Sequence, residues 1–492
     1  MDDHGRRGSA RLSPDAASRA AELTQSQREL VSARLRQAPR ADRSDQAGAV
    51  RPVPRGAEAP ASFAQEAMWF ERELGDRQAG TNIGFAFEID GTPDVDATRA
   101  AVDAVLARHE ILRTALRTGA DGRPLQRVLR SEEIDSPFAH VQAADDHDLQ
   151  AQVSAALEAP FDLMTPPLWR ARLVSTGGGR RVLVVGIDHL VSDGWSLGVL
   201  QQELWAAYLA VCAPSAPAPA ALPIQYADYA IWQREREARG GFDREQAHWR
   251  RQLSGAPRLE LPTDRPRPRF NSPDAAAYRH ALPPSLRDGL AALARTNDVT
   301  LYMVLLAAFG LVVSERAQQE DVVVGTPAAA RVRPELEPLI GLFVNTVPLR
   351  FAVRRDATLP ELLASVRAAA LAAFAHQDFP FDRLVAGLDL PRDSARNPVV
   401  QVVFALQNTP VPQPGTAPFE MKPFWLEREP AQSTPFDLEL HVLETDGGLE
   451  CSFTYTTALF DSFTIMELAS AFEAALRRAV DVLDVGERPP VR

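Results

Sequence analysis

Hydrophobic and polar positions follow two different periods along residues 61–212, and this predicts interleaved strands and helices. Residues 85–89 alternate with period two, as a half-buried strand does, and residues 95–114 carry apolar side chains at helical spacing. Residues 181–187 form a nearly continuous apolar run of strand length, which favours a strand covered on both faces. Residues 195–211 return to the helical period.

The same alternation of elements returns in the second half of the chain, after proline-rich stretches at 213–221 and 261–268. The pattern predicts helices over residues 286–295, 301–314, 359–374 and 462–480 and strands over residues 321–325, 399–405 and 450–455. No exact repeat is visible, but both halves have about 200 residues and similar content. We therefore predict an α/β protein with two related lobes, residues 61–260 and 261–492.

Residues 1–60 differ from the rest in charge and composition. They hold 11 arginines against 8 acidic residues, while the remaining chain has a net charge of −15. A helix start at Ser13 and Pro14 predicts a helix through Arg36, and residues 38–60 have the composition of a flexible linker. This segment either packs on the main body, docks a partner or is loosely ordered.

Charge and composition exclude several classes of protein. With 53 Lys and Arg against 65 Asp and Glu, the net charge of −12 argues against nucleic acid as a partner. Two cysteines, Cys212 and Cys451, make neither a disulfide framework nor a metal-ligand spacing. There is no signal peptide pattern, and the longest apolar run, residues 301–313, is too short to span a bilayer. We expect a cytoplasmic protein without membrane association.

The candidate chemistry lies directly after the buried strand, in residues 188–196. His189 supplies an imidazole, which can donate or accept a proton, and Gly194 allows a tight turn with an accessible N–H. A buried Asp193 needs a cationic partner or several hydrogen bonds. The alternative is a strand-to-helix turn in which Asp193 or Ser196 merely caps the next helix.

A resemblance to a known family favours the chemical interpretation. Residues 188–194 match the HHxxxDG signature of the condensation domains of nonribosomal peptide synthetases, with Asp188 in place of the first His. Six further segments are similar to motifs of that family and occur in its order: 62–69 (SxAQxRLW), 108–114 (RHExLRT), 226–233 (YxDFAxWQ), 340–346 (IGxFVNT), 376–381 (HQDxPF) and 396–404 (RNPxxQVxF).

The resemblance implies two lobes similar to chloramphenicol acetyltransferase, in a V-shaped pseudo-dimer with an active-site tunnel between them. A donor acyl group would arrive as a thioester on the 4'-phosphopantetheine arm of a carrier protein in another chain. A small-molecule or carrier-bound amine or alcohol would accept it, forming an amide or ester. The family needs no metal and no cofactor of its own, and we expect a monomer.

The resemblance also implies roles for individual residues. His189 would be the general base or the acceptor that orients the nucleophile, and the Gly194 N–H would lie near the thioester carbonyl. Asp193 would pair with an arginine, for which Arg113 is the first candidate and Arg108 the second. Ser196, Trp232 and Asn345 would support or shape the site. His109 and His376 are interpreted as packing or capping residues.

Asp188 leaves three alternatives open. The domain condenses its substrates with an altered local network; it is a heterocyclisation domain, because Asp188, Asp193 and Ser196 also fit DxxxxDxxS; or it is a catalytically degenerate recruitment platform. Retention of His189 favours the first. The chain shows no adenylation signature and no carrier serine motif, which predicts a free-standing enzyme with residues 1–60 as a possible docking segment.

Overall fold

The computed structural model describes residues 49–54, 56, 58–74, 82–213, 220–388, 393–407, 419–427, 432–445 and 447–485. The predicted helix over residues 14–36 and most of the proline-rich connector at 213–221 lie outside the described residues. Two large sheets, one for each half of the chain, organise the rest.

Among the described residues, the first sheet has five strands: β2 (Asn82–Asp90), β5 (Phe138–Ala143), β6 (Trp169–Thr176), β7 (Arg181–Asp188) and β12 (Glu420–Pro423). Their order in the sheet is β12-β2-β7-β6-β5. β5 and β6 are parallel, and the other neighbours are antiparallel. The helices of this half are α1 (Phe63–Leu74), α2 (Val95–Arg108), α3 (Asp146–Glu158), α4 (Gly194–Cys212), α5 (Tyr226–Ala238) and α6 (Asp243–Leu253).

Strand β7 is covered on both faces, as its apolar run predicts. Val182 and Val184 pack with residues of α3, whereas Leu183, Val185 and Ile187 pack in the larger core that includes α2 and α4. This arrangement explains why successive positions of β7 are all apolar: each face of the strand meets its own hydrophobic layer. The strand therefore ends in the interior of the protein, and it delivers the residues that follow to a sheltered position.

In the part of the chain that the structure describes, the second sheet has seven strands: β8 (Asp274–Leu282), β9 (Asp321–Ala328), β10 (Asn345–Ala352), β11 (Val402–Gln407), β13 (Gln432–Ser433), β14 (Leu438–Thr445) and β15 (Gly448–Thr456). Their order in the sheet is β10-β9-β11-β14-β15-β8-β13. The helices of this half are α7 (Pro284–Thr296), α8 (Leu301–Ala317), α9 (Leu359–Phe374), α10 (Phe381–Ala386) and α11 (Ser462–Val485). Each helix and strand predicted for this half is observed, except that β11 begins at Val402, three residues after the predicted start at 399. Residues 301–314 of α8 are all buried.

Two connections join the halves more closely than the predicted boundary at 260/261 implies. Strand β12 comes from the second half of the chain but pairs with β2 of the first sheet. Tyr226 of α5 packs against Gly341, where a Cβ atom would lie 2.0 Å from the tyrosine ring. Glycine at 341 is therefore required for the two halves to approach this closely. The division into lobes itself stays a prediction.

The linker interpretation is wrong for Val50 and for residues 58–60. Val50 is buried in the core of the first half, and strand β1 (Glu58–Pro60) pairs with β4 (Pro124–Val128) in a three-stranded sheet completed by β3 (Thr114–Thr118). A segment of linker-like composition is thus held by backbone pairing, which depends little on side-chain type.

The helix predicted over residues 95–114 ends early. Helix α2 stops at Arg108 because His109 has extended backbone torsions, and a 3₁₀ turn (Glu110–Arg113) follows. The buried His109 ring lies 2.7 Å from Glu203 of α4, so a tertiary contact fixes the residue at which the helix ends.

Among the described residues, no single helix is long and apolar enough to cross a membrane. Helices α7 and α8 meet that requirement only as a pair, with a bend of 103° between them.

Candidate active site

His189 lies on a 3₁₀ turn (His189–Val191) between β7 and α4. Its Nδ1 is 2.8 Å from the carbonyl oxygen of Ser192. A carbonyl oxygen only accepts hydrogen bonds, so Nδ1 carries a proton, and in the neutral imidazole Nε2 keeps its lone pair. The side chain is half-buried. The turn thus holds the imidazole in the tautomer whose Nε2 can accept a proton or a hydrogen bond.

Asp193 fills both roles that the sequence left open. It caps α4, because its Oδ1 accepts hydrogen bonds from the N–H of Ser196 at 2.8 Å and from the Ser196 hydroxyl at 2.7 Å. Its Oδ2 accepts from the N–H groups of Phe343 and Val344 at 2.9 and 3.2 Å. The carboxylate is 1% exposed and joins the helix after the His189 turn to the second half of the chain.

The cationic partner of Asp193 is Arg331, whose Nη2 lies 3.2 Å from Oδ1. The predicted pairing with Arg113 or Arg108 is wrong. Arg113 donates to the carbonyl of Leu129, and Arg108 pairs with Glu203 at 2.9 Å. The guanidinium groups of both arginines thus bind partners within the first half of the chain.

Burial of Arg331 makes its pairing important for stability. Burial is the main cause of a lowered Arg331 pKa, which the negative charge of Asp193 opposes. The same guanidinium donates to the Ser196 hydroxyl at 2.7 Å and lies 4.0 Å from the centre of the Phe343 ring. Ser196 is a member of this buried network: its hydroxyl oxygen accepts from the N–H of Gly341 at 3.1 Å, and its one proton is shared between Asp193 Oδ1 and the Gly341 carbonyl, 2.8 Å away.

Asp188 has a cationic partner that sequence reasoning missed. The guanidinium of Arg72 on α1 donates two parallel hydrogen bonds to its carboxylate, at 2.8 and 2.9 Å. Arg72 lies 116 residues away along the chain, and nothing in its local sequence indicates the contact. Arg331 was missed for the same reason, since 138 residues separate it from Asp193.

Gly194 begins α4 and is exposed. A Cβ atom at this position would have no neighbour within 4 Å, and the backbone is not in the left-handed region. Glycine is therefore not needed for the turn, which differs from the expectation, but it leaves open space beside the helix N-terminus. The first N–H groups of a helix have no partner within it and are suited to an incoming oxygen.

Trp232 and Asn345 occupy defined positions near this network. Trp232 on α5 stacks on Tyr229, which contacts Phe343. The Arg333 guanidinium lies 5.0 Å from the centre of the Trp232 ring. Asn345 Nδ2 donates to the carbonyls of Gln377 and Phe379 at 2.8 Å. That amide therefore holds the loop between α9 and α10. A role for either residue toward substrate stays a prediction.

His109 and His376 are packing residues in the structure, as interpreted from the sequence. His376 stacks on His248 of α6, with 3.8 Å between ring centres. Burial is the largest cause that lowers the pKa of His248 to about 4, helped by His376 and Arg251, and burial also lowers the pKa of His376.

This histidine pair predicts a loss of stability in acid. In the unfolded chain the two imidazoles become protonated near the ordinary pKa of about 6.5, whereas in the folded protein they become protonated only at lower pH. The pair therefore does not lower the free energy of unfolding above about pH 6.5, and it lowers it progressively as the pH drops toward 4. Melting temperatures from pH 7.5 to 4.5 should fall less steeply in His248→Phe/His376→Phe than in wild type. The exposed His147→Phe is the control, and equal slopes for wild type and the double variant would contradict the prediction.

Comparison with known proteins shows the family of this chain. The family model of the Condensation domain matches residues 56–488. The chain belongs to the condensation-domain family. Condensation domains are generally of the acyltransferase type, and the α/β fold expected from the resemblance is confirmed.

The relatives of this condensation domain are synthases and synthetases that are much longer than this chain. A linear gramicidin synthase of Brevibacillus parabrevis is 38% identical over 433 residues, which cover 87% of this chain and 8% of that protein. The domain thus spans a small part of the length of its curated relatives.

Two solved structures show the same fold. The X-domain in its complex with OxyB from teicoplanin biosynthesis is 28% identical, with a TM-score of 0.76, and the match covers 90% of this chain and 97% of that one. The first condensation domain of the CDA synthetase is 21% identical, with a TM-score of 0.71 and coverage of 86% and 96%.

Proposed function

We propose that this condensation domain transfers an acyl or peptidyl group from a carrier-protein phosphopantetheine thioester to an amine or alcohol acceptor. The observation that carries the proposal is the His189 turn. Nδ1–H is bonded to the Ser192 carbonyl, which leaves Nε2 as the acceptor of the ring, and open space surrounds Gly194 at the start of the helix that follows the turn.

The proposed reaction needs only groups of this kind. The acceptor nitrogen or oxygen attacks the thioester carbon, and its proton passes to His189 Nε2 or is held there by a hydrogen bond. Negative charge develops on the carbonyl oxygen, toward which the N–H groups at the start of α4 are suited. The C–S bond then breaks, and the carrier thiol leaves with the proton.

The family context supports the partners in this proposal. Condensation domains of peptide synthetases act on substrates held on the phosphopantetheine arm of a carrier protein. A carrier of another chain, a monomeric state and a cytoplasmic location stay predictions. The proposed docking segment within residues 1–60 lies mostly outside the described residues.

Intact-mass analysis of a loaded carrier mixed with amines and alcohols tests the proposal. We expect a product with the mass of donor acid plus acceptor minus one water, together with free carrier thiol. A second loss of water with a Cys, Ser or Thr acceptor would instead support heterocyclisation, which the spacing of Asp188, Asp193 and Ser196 allows.

A second candidate function is recruitment of another protein without catalysis. It is favoured by the replacement of the first His by Asp188 and by the similar X-domain structure, which is a complex with OxyB. This alternative predicts that no donor–acceptor pair gives a product and that His189→Ala leaves partner binding unchanged.

A further inference from the structure

Helix α1 holds the turn that carries His189 by two contacts. Gln65 Nε2 donates to the carbonyl of Leu190 at 3.0 Å, and Arg72 pairs with Asp188 through two hydrogen bonds. Leu190 and Asp188 flank His189 in the chain. The catalytic candidate thus lies between two residues that are both held by a single helix.

Asp188 contacts both Arg72 and the backbone of the turn. Its Oδ1 accepts one Arg72 hydrogen bond at 2.9 Å and also the N–H of Leu190 at 2.8 Å, so it caps the turn at its beginning. The His189 ring bonds the Ser192 carbonyl at the end of the same turn. The side chains of Asp188 and His189 therefore both bond to the same short stretch of backbone.

That carboxylate is stable in the interior only with a counter-charge. The side chains of Arg72 and Asp188 are 10% and 1% exposed. Removal of one member of a buried ion pair leaves the other uncompensated, and the group then turns toward water or another donor. A rotation of Asp188 releases the Leu190 N–H and loosens the turn.

We propose that Arg72 is a positioning residue of this condensation domain: through Asp188 it sets the orientation of His189. The proposal rests on the proposed function, in which His189 acts on the acceptor. It also accounts for Asp188 at the position of the first His in the HHxxxDG motif. An acidic side chain at this position accepts a bidentate hydrogen bond from an arginine, which fixes its orientation.

The test is Arg72→Met, which keeps most of the length of the side chain and removes its charge. We expect kcat to fall about 10- to 100-fold, since misplacement of a catalytic group by about 1 Å has effects of that size. KM for the acceptor should stay within about 3-fold, because Arg72 acts on the orientation of His189. Arg72→Lys keeps the charge without the planar fork and should recover part of kcat.

A matched control exists in the second half of the chain. Arg267 also makes two hydrogen bonds to a buried carboxylate, Asp437, at 2.8 and 2.5 Å, with exposures of 13% and 4%. Arg267→Met should lower the melting temperature by an amount similar to Arg72→Met and leave kcat unchanged. Equal losses of kcat in the two variants would reduce Arg72 to a structural role and overturn the proposal.

A spectroscopic readout separates this proposal from the proposed function. The imidazole ¹⁵N shifts of His189, assigned by comparison with His189→Ala, should show the Nδ1–H tautomer in wild type and a mixture of tautomers in Arg72→Met. Unchanged shifts together with unchanged kcat overturn the role of Arg72. If wild type forms no product with any substrate pair, the proposed function fails, and the ¹⁵N shifts still decide whether Arg72 orients His189.

Discussion

His189→Ala should lower the rate of product formation by about 10²- to 10⁴-fold, the usual contribution of a general base. The imidazole Nε2 is the group proposed to take or hold the proton of the acceptor, and alanine offers no replacement. The effect on folding should be small, because the His189 ring is held by a hydrogen bond to Ser192 of the kind that contributes about 1 kcal/mol.

The measurement is single-turnover transfer from a loaded carrier, with thermal unfolding of the same samples. His140→Ala is the matched control, because His140 is an exposed histidine that bonds a serine hydroxyl on a strand of the same sheet. His140→Ala should keep the wild-type rate. A His189→Ala rate within a few-fold of wild type would remove His189 from the chemistry.

Asp193→Ala should destabilise the protein by about 3–5 kcal/mol, as expected when one partner of a buried ion pair is removed. Arg331 is then left buried without its counter-charge, and the N–H groups of Phe343 and Val344 lose their acceptor. Activity should fall as well, since the first turn of α4 and the contact between the halves both depend on this carboxylate.

Denaturant unfolding measures the loss, and two further variants identify its origin. Asp145→Ala removes an exposed helix cap of α3 and should cost only about 1 kcal/mol. Asp193→Ala/Arg331→Met removes both charges and should cost less than the sum of the single variants. A free energy of unfolding for Asp193→Ala equal to that of Asp145→Ala would mean that Asp193 acts only as a cap.

Elements with strong local periodicity were predictable from the sequence. The helix over 359–374 is observed with those bounds, and the apolar run after residue 181 is the covered strand β7. Both depend on hydrophobic positions within windows of eight to sixteen residues. The location of His189 was predictable for the same reason, because the motif follows the end of a recognisable strand.

Partners at long sequence separation were not predictable from these windows. Asp193 was expected to be buried and paired, which is confirmed, but the proposed arginines were wrong because several arginines satisfy the same chemical demand. The packing of Val50 and the pairing of β1 with β4 were also not predictable, because the composition of that segment is that of a linker.

The order of residues along the chain was enough to predict the α/β class, the family, and the place of His189, Asp193 and Gly194 at the end of a buried strand. It was not enough to predict that Asp193 pairs with Arg331 across the two halves or that Asp188 pairs with Arg72. Hydrophobic periodicity is a property of neighbouring residues, so the chain displays it directly. The choice among many arginines depends on which guanidinium the folded backbone brings within about 3 Å of a buried carboxylate, and packing settles that choice.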